Sequence, residues 1–139
     1  KDTLRNIRDT GEFVINLVGE PMLARMVRAS GDWAPEVDEF ALTGLTPAPS
    51  LRVSPPRVAE SPVAIECRLE QVVSVGAGNL ILGRMVLAHV RDDLIANGIV
   101  DPVKLRPLAR LGGDAYATLG SILRQPRPVV PPPGAPSGS

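Results

Sequence analysis

The sequence predicts a mainly β protein with peripheral helices, built around a small antiparallel barrel. Two long apolar runs, 63–75 and 80–90, are separated by Gly76-Ala77-Gly78-Asn79, a spacing typical of a β-hairpin. Both runs exceed the roughly five or six residues of an average strand, and long bent strands are common in small barrels. The hydrophobic fraction of 44% also favours a packed domain over disorder.

The first part of the chain predicts a helix, a strand and a second helix. Thr3 is expected to cap the first helix, because its hydroxyl can accept a hydrogen bond from a first-turn N–H, and Gly11 is expected to end it. The run 13–18 is almost entirely apolar, as in a strand that is covered on both faces. Pro21 suits the first position of a second helix, which Gly31 would end.

Residues 32–62 are predicted to be loop-like, since this stretch holds six prolines. A connection of this length in a compact domain is usually a functional lid or a wrapping segment. Trp33 and Phe40 lie within it and are expected to anchor it.

Side chains that alternate strictly along the second long strand would form two faces, each with both apolar and polar residues. Ile81, Met85, Leu87 and His89 would share one face, with Leu80 and Arg84 among the residues on the other. Neither face is polar throughout, so both are expected to be covered, one of them by a helix or a partner subunit.

Beyond the hairpin, Asp101 followed by Pro102 predicts the start of a short helix. From residue 125 the chain is rich in Pro and Gly and is not expected to fold alone. We therefore predict one domain, 1–124, and a disordered tail, 125–139.

Composition excludes several functions. Fifteen basic residues balance fifteen acidic ones, and aromatic residues are few, so binding to nucleic acid or to an anionic membrane is not expected. No apolar run is long enough to span a bilayer, and a cytoplasmic location is the default. The single Cys67 and the single His89 offer no metal-ligand spacing, and Cys67 is expected to be a buried, inert thiol.

The opening residues Lys1-Asp2-Thr3 are a candidate anion site. The first N–H groups of a helix lack partners within the helix, and the helix dipole places partial positive charge there. A lysine and a hydroxyl beside such a turn could hold a phosphate. The alternative is a terminal lysine next to an ordinary helix cap.

Several blocks occur in an order that is recognisable. They are Lys1-Asp2-Thr3-x-x-Asn6-Ile7, Val14-Ile15-Asn16-Leu17-Val18, Val37-Asp38-Glu39-Phe40, Pro56-Arg57-Val58-x-Glu60-Ser61-Pro62-Val63-x-x-Glu66-Cys67, Leu82-Gly83 and Arg110-Leu111-Gly112-Gly113-x-x-Tyr116. From residue 1 to about residue 127, the chain resembles the flavin reductase-like proteins, which have an FMN-binding split barrel.

The resemblance implies an antiparallel split β-barrel that forms a homodimer, with FMN near the subunit interface. It also implies hydride transfer from NAD(P)H to flavin and a possible partner oxygenase. Family members carry several strands before the Lys-Asp-Thr block, so the barrel is expected to be incomplete at the N-terminus and the chain to be a fragment. The alternative function is a truncated, non-catalytic module for flavin binding or dimerisation.

The resemblance assigns cofactor binding to Lys1, Asp2, Thr3 and Asn6, with weaker candidates at Arg110, Gly112, Gly113 and Tyr116. The alternative for this second group is a tight glycine turn beside a packed tyrosine. No catalytic residue is assigned. His89 is a weak candidate for that role, and the alternative is a core or interface histidine. Trp33 and Phe40 either cover a flavin or nicotinamide ring or act as plain hydrophobic anchors.

Overall fold

A computed structural model describes residues 2–129, with side chains described from Thr3 onward. In chain order its helices and strands are α1 (Asp2–Thr10), β1 (Glu12–Asn16), α2 (Leu23–Ala29), α3 (Glu39–Thr43), β2 (Pro47–Ala48), β3 (Arg57–Val58), β4 (Val63–Val75), β5 (Gly78–Val90), β6 (Ile95–Ala96), β7 (Ile99–Val100), α4 (Pro102–Leu105), β8 (Ala109–Arg110) and β9 (Tyr116–Ala117). Short 3-10 turns at Glu20–Met22 and Asp92–Leu94 precede α2 and β6. The mainly β prediction is confirmed.

The central sheet is antiparallel in the order β1-β4-β5. The two long strands of 13 residues each confirm the predicted hairpin. Its turn is shorter than predicted, because Gly78 and Asn79 already belong to β5 and Gly78 pairs with Val75. Gly76, with a φ of 55°, supplies the left-handed backbone that a tight turn needs.

A β-bulge overturns the predicted face of Met85. Glu66 pairs with Leu87 and Cys67 pairs with Met85, so Val86 has no partner on β4. The extra residue interrupts the alternation along β5. Leu87 and His89 therefore share a face with Glu66, whereas Met85 lies with Cys67 on the opposite face.

The Cys67 face carries a close contact between an aromatic ring and a glycine. A Cβ added at Gly83 would clash with Cζ of Phe13. The ring thus crosses β4 and covers the space that a side chain on β5 would occupy. Cys67 itself is buried, as predicted, and burial raises the pKa of its thiol.

The region predicted to be loop-like contains more structure than expected. Asp38 caps α3 by accepting a hydrogen bond from Phe40 N at 2.9 Å, and Gly44 ends the helix at a φ of 68°. Strands β2 and β3 then pair in a two-residue ribbon. A helix of five residues has too short an apolar pattern to be recognised in a proline-rich stretch.

The termini of two other helices test further predictions. Gly11 ends α1 with its N–H bonded to Ile7 O at 2.9 Å, and Asp101 caps α4 by accepting from Val103 N at 2.8 Å, both as predicted. The prediction that Thr3 is an N-cap is wrong, because α1 begins at Asp2 and Thr3 lies inside its first turn.

Candidate functional site

The C-terminal candidate residues form one cluster at the ribbon of β8 and β9. Arg110 pairs with Tyr116 across this ribbon. Nη1 of Arg110 donates to the Tyr116 hydroxyl at 3.3 Å, and Nη2 donates to the Gly113 carbonyl at 3.2 Å. The guanidinium carbon also lies 5.6 Å from the centre of the Tyr116 ring, within the range of a cation–π contact. The spacing of these residues in the sequence therefore reflects a real structural unit.

Gly113 explains how the loop between the two strands turns back. Its φ of 63° is a left-handed value that favours glycine. Leu111 N donates to Ala115 O at 3.0 Å, and Ala115 N donates to Gly112 O at 3.2 Å. The glycine pair thus forms a tight turn, and this turn also brings the Gly113 carbonyl to Arg110.

The N-terminal candidates are only partly described. Thr3 is exposed and lines a cavity of about 340 Å³ together with Trp33, Glu39 and residues 29–32. Asn6 is an exposed residue of α1, and its carbonyl accepts a hydrogen bond from the Thr10 hydroxyl at 2.7 Å. Lys1 and the side chain of Asp2 lie outside the described residues.

The cavity at Thr3 has a mixed set of polar groups. The Thr3 hydroxyl and the start of α1 suit a phosphate. Asp32 and Glu39 line the same cavity, and the negative charge of Glu39 would oppose an anion. Trp33 is fixed beside it, because its Nε1 donates to Arg28 O at 2.9 Å while the residue stays 43% exposed.

A second cavity lies between α2 and the C-terminal cluster. It measures about 340 Å³ and is lined by Leu23, Val27 and Ser30 on one side and by Arg110, Gly113, Asp114 and Tyr116 on the other. Ser30 also lines the cavity at Thr3. The two predicted cofactor-binding groups therefore do not share a cavity, but Ser30, at the C-terminal end of α2, lines both of their cavities.

A further polar centre, which sequence reasoning missed, surrounds Glu66. This side chain is fully buried, and its carboxylate accepts from Leu51 N at 2.8 Å, from Arg52 N at 2.6 Å and from His89 Nε2 at 2.5 Å. Burial alone would raise the pKa of Glu66, but the bond to His89 and the two backbone donors lower it to about 2. The one signal in the sequence was a glutamate inside an otherwise apolar strand.

Neighbouring side chains bind the same proline-rich segment. Glu12 accepts from Ser54 N at 2.8 Å, and Asn16 accepts from Val58 N at 2.9 Å. Hydrogen bonds from the Ser54 backbone and side chain are the largest cause of the lowered pKa of Glu12. We call residues 46–58 the strap, since side chains of the sheet hold its backbone across one face.

His89 is thus bound to a structural carboxylate. Its side chain is 22% exposed, and it pairs with Ala64 in the sheet. It does not line any of the cavities at Thr3 or Arg110 described above. Its assignment as a weak catalytic candidate stays a prediction.

Two kinds of site find no support in the described part of the chain. Residues 2–129 contain no group of three or more His, Cys, Asp or Glu side chains placed to hold a metal ion. Within the same range, no helix is long and apolar enough to cross a membrane.

Proteins of related sequence come from diverse prokaryotes. An uncharacterised protein of Halalkalibacterium halodurans is 38% identical over 136 residues, covering 94% of this chain and 65% of that protein. Another, from Aquifex aeolicus, is 40% identical over 117 residues, covering 84% of this chain and 60% of that protein. The chain thus spans less than two thirds of the length of these relatives.

Solved structures share the fold. Nitrilotriacetate monooxygenase component B from Bacillus cereus superposes with a TM-score of 0.85 at 34% identity, covering 90% of this chain and 65% of that one. Flavoredoxin of Desulfovibrio vulgaris superposes with a TM-score of 0.79 at 27% identity, covering 88% and 67% of the two chains. The fold is therefore that of the split-barrel flavin reductase-like proteins. Residues 1–109 match the family described as flavin reductase like domain, and the chain belongs to this family.

Proposed function

We propose that this chain binds FMN and acts as an oxidoreductase of the flavin reductase type, with NAD(P)H as hydride donor. Family membership over residues 1–109 supports a flavin-related redox function. The structural observation that carries the proposal is the pair of adjoining cavities along α2. Ser30 lines both of them, so an elongated nucleotide lying along α2 could reach from Thr3 to the turn at Gly113.

The donors suit the two ends of a flavin nucleotide differently. The Thr3 hydroxyl, the first turn of α1 and Lys1 would meet the phosphate, with Asp2 and Asn6 as neighbours. The turn at Gly112 and Gly113, which Arg110 fixes through its hydrogen bond to the Gly113 carbonyl, offers backbone groups at the other end. FMN supplies the two-electron chemistry when it is bound, so the chain needs to bind, orient and shield rather than to donate acid or base groups.

The first experiment tests binding and activity of the 139-residue chain. FMN should lose fluorescence when it is titrated with the protein, and added FMN should raise the rate of NADH or NADPH oxidation. A chain that leaves FMN fluorescence unchanged contradicts the proposal.

The phosphate position is tested with FMN and riboflavin, which lacks the phosphate. Thr3→Val removes a hydrogen bond to a charged group, so it should lower the affinity for FMN roughly tenfold and leave the affinity for riboflavin unchanged. Glu39→Gln removes a carboxylate that repels the phosphate, so it should raise the affinity for FMN at low salt. Thr118→Val, at an exposed position, is the matched control.

Equal effects of Thr3→Val on FMN and riboflavin would contradict this placement. So would an unchanged FMN affinity in both the Thr3→Val and Glu39→Gln variants.

We further propose that the chain works as a homodimer and can serve a partner oxygenase. The second suggestion is supported by its similarity to a monooxygenase component B. One observation favours the alternative function, a non-catalytic module: Leu80, Leu82 and Met85 of β5 are 55%, 42% and 63% exposed, which leaves apolar surface for another chain to cover. Turnover of NAD(P)H by the 139-residue chain alone would exclude the module.

A further inference from the structure

A slot of about 300 Å³ lies on the β1 side of the Arg110–Tyr116 pair. Residues 15–18 form one wall, Met26 of α2 a second, and Pro107 and Leu108 a third. Apart from Asn16, these side chains are aliphatic or a thioether. The slot shares Arg110 and Tyr116 with the cavity at Ser30 and has no lining residue in common with the cavity at Thr3.

Hydrogen bonds fix the Arg110 side chain at this slot, and neither of them goes to an acidic group. Its two hydrogen bonds go to the neutral Tyr116 hydroxyl and Gly113 carbonyl. Among residues 2–129, no carboxylate forms an ion pair with it. Asp114 lines the cavity on the other side of the pair. A planar guanidinium fixed in this way is suited to a carboxylate, which it can bind through two parallel N–H donors.

Tyr116 adds a second donor to the same position. Its hydroxyl oxygen accepts the bond from Arg110, which leaves the hydroxyl hydrogen to be donated. A carboxylate placed against the pair could therefore receive hydrogen bonds from both side chains.

The size and lining of the slot define the rest of the ligand. A closed apolar cavity of about 150 Å³ can bind benzene. This slot has about twice that volume, which suits two fused rings. Apolar walls with a few placed polar groups are the usual composition of a small-molecule site.

We propose that the slot binds a planar bicyclic aromatic carboxylate, with the carboxylate on Arg110 and Tyr116 and the rings between residues 15–18 and Met26. The ligand would lie beside the cavities assigned to FMN, separated from them by the Arg110–Tyr116 pair. Its binding requires no flavin.

Calorimetric titration of the flavin-free chain tests the proposal with two probes of the same shape. 2-Naphthoate carries the carboxylate, and 2-naphthamide is its neutral analogue. We expect naphthoate to bind at least tenfold more tightly. Arg110→Gln should reduce this preference to less than twofold and leave the affinity for the amide unchanged. Arg84→Gln, at an arginine paired with Glu70 in the hairpin, should preserve it.

Two further measurements locate the bound probe. Met26→Trp fills the slot and should abolish binding of both probes while Arg110 is intact, with circular dichroism confirming that each variant folds. Saturating FMN should not displace naphthoate. The proposal is overturned if the two probes bind with equal affinity or not at all, or if the Arg110→Gln variant keeps the preference for naphthoate. It is also overturned if the Met26→Trp variant still binds either probe, or if FMN displaces naphthoate. Loss of FMN binding alone would contradict the proposed function and leave this inference standing.

Discussion

Glu66 illustrates how a single buried charge can organise a loop. An ionised carboxylate without partners would be very costly at a fully buried position. Two backbone donors from the strap and His89 satisfy it. The same bonds keep its pKa at about 2, so the side chain stays charged over the whole neutral range.

Replacing Glu66 should therefore cost stability in a pH-dependent way. Glu66→Gln leaves backbone donors facing an amide, and we expect a loss of about 1–3 kcal/mol in the free energy of unfolding at pH 7. The native pKa of about 2 lies below the ordinary value of 4.5. The contribution of the charge is thus complete above about pH 4.5 and disappears as the pH falls towards 2.

Urea unfolding at several pH values measures this effect. The difference in the free energy of unfolding between the native chain and the Glu66→Gln variant should become smaller as the pH falls below 5. Glu70→Gln, whose carboxylate meets Arg84 on the exposed hairpin, should differ little from the native chain. If this difference in the free energy of unfolding stays constant from pH 7 to pH 3, the charge of Glu66 is not responsible for the stability that the substitution removes.

The strap is the element whose conformation depends most on side chains of the sheet. The short β2–β3 ribbon supplies only two residue pairs. Three sheet residues, Glu12, Asn16 and Glu66, accept hydrogen bonds from its backbone. A proline-rich segment has few N–H donors for a ladder of its own, so it uses the acceptors that the sheet provides.

Asn16→Leu keeps a similar volume and removes the acceptor of Val58 N. We expect hydrogen exchange of the Val58 amide and its neighbours in the strap to accelerate, with the β4–β5 hairpin unaffected. Asn79→Leu, at an exposed position of β5 near the hairpin turn, should leave the strap unchanged. Faster exchange throughout the sheet would instead indicate global destabilisation.

At the scale of the whole molecule, the described sheet has two outer strands. β1 and β5 each pair on one side only, with β4. Unpaired strand edges and exposed apolar side chains favour association with further polypeptide. This arrangement supports the proposed homodimer, and the exposed face of Met85 offers a way to test it.

Met85→Glu should weaken self-association of the chain, because it places a charge on an apolar surface that a second copy would bury. Sedimentation equilibrium at increasing concentration would show the shift from dimer to monomer. Val103→Glu, at an exposed position of α4, is the control. A chain that stays monomeric before any substitution contradicts the homodimer.

The sequence by itself determined the local architecture. Repeating apolar side chains and glycine turns locate β4 and β5, and Asp101 with Pro102 locates α4, because these signals depend on neighbours close in the chain. The spacing of Arg110, Gly113 and Tyr116 also marked three residues that the structure places in one cluster. Family blocks pointed to the flavin reductase-like fold for the same reason, since each block is a short contiguous stretch.

Only the tertiary structure decided which distant groups meet. The contacts of Glu66 with residues 14 and 15 positions earlier and with His89 23 positions later have no local signature. The bulge at Val86 reversed the face of Met85, because one extra residue shifts every later side chain in a period of two. The slot beside Arg110 likewise exists only because β1, α2 and residues 107–108 pack around one point, and long-range packing of this kind cannot be derived from periodicity.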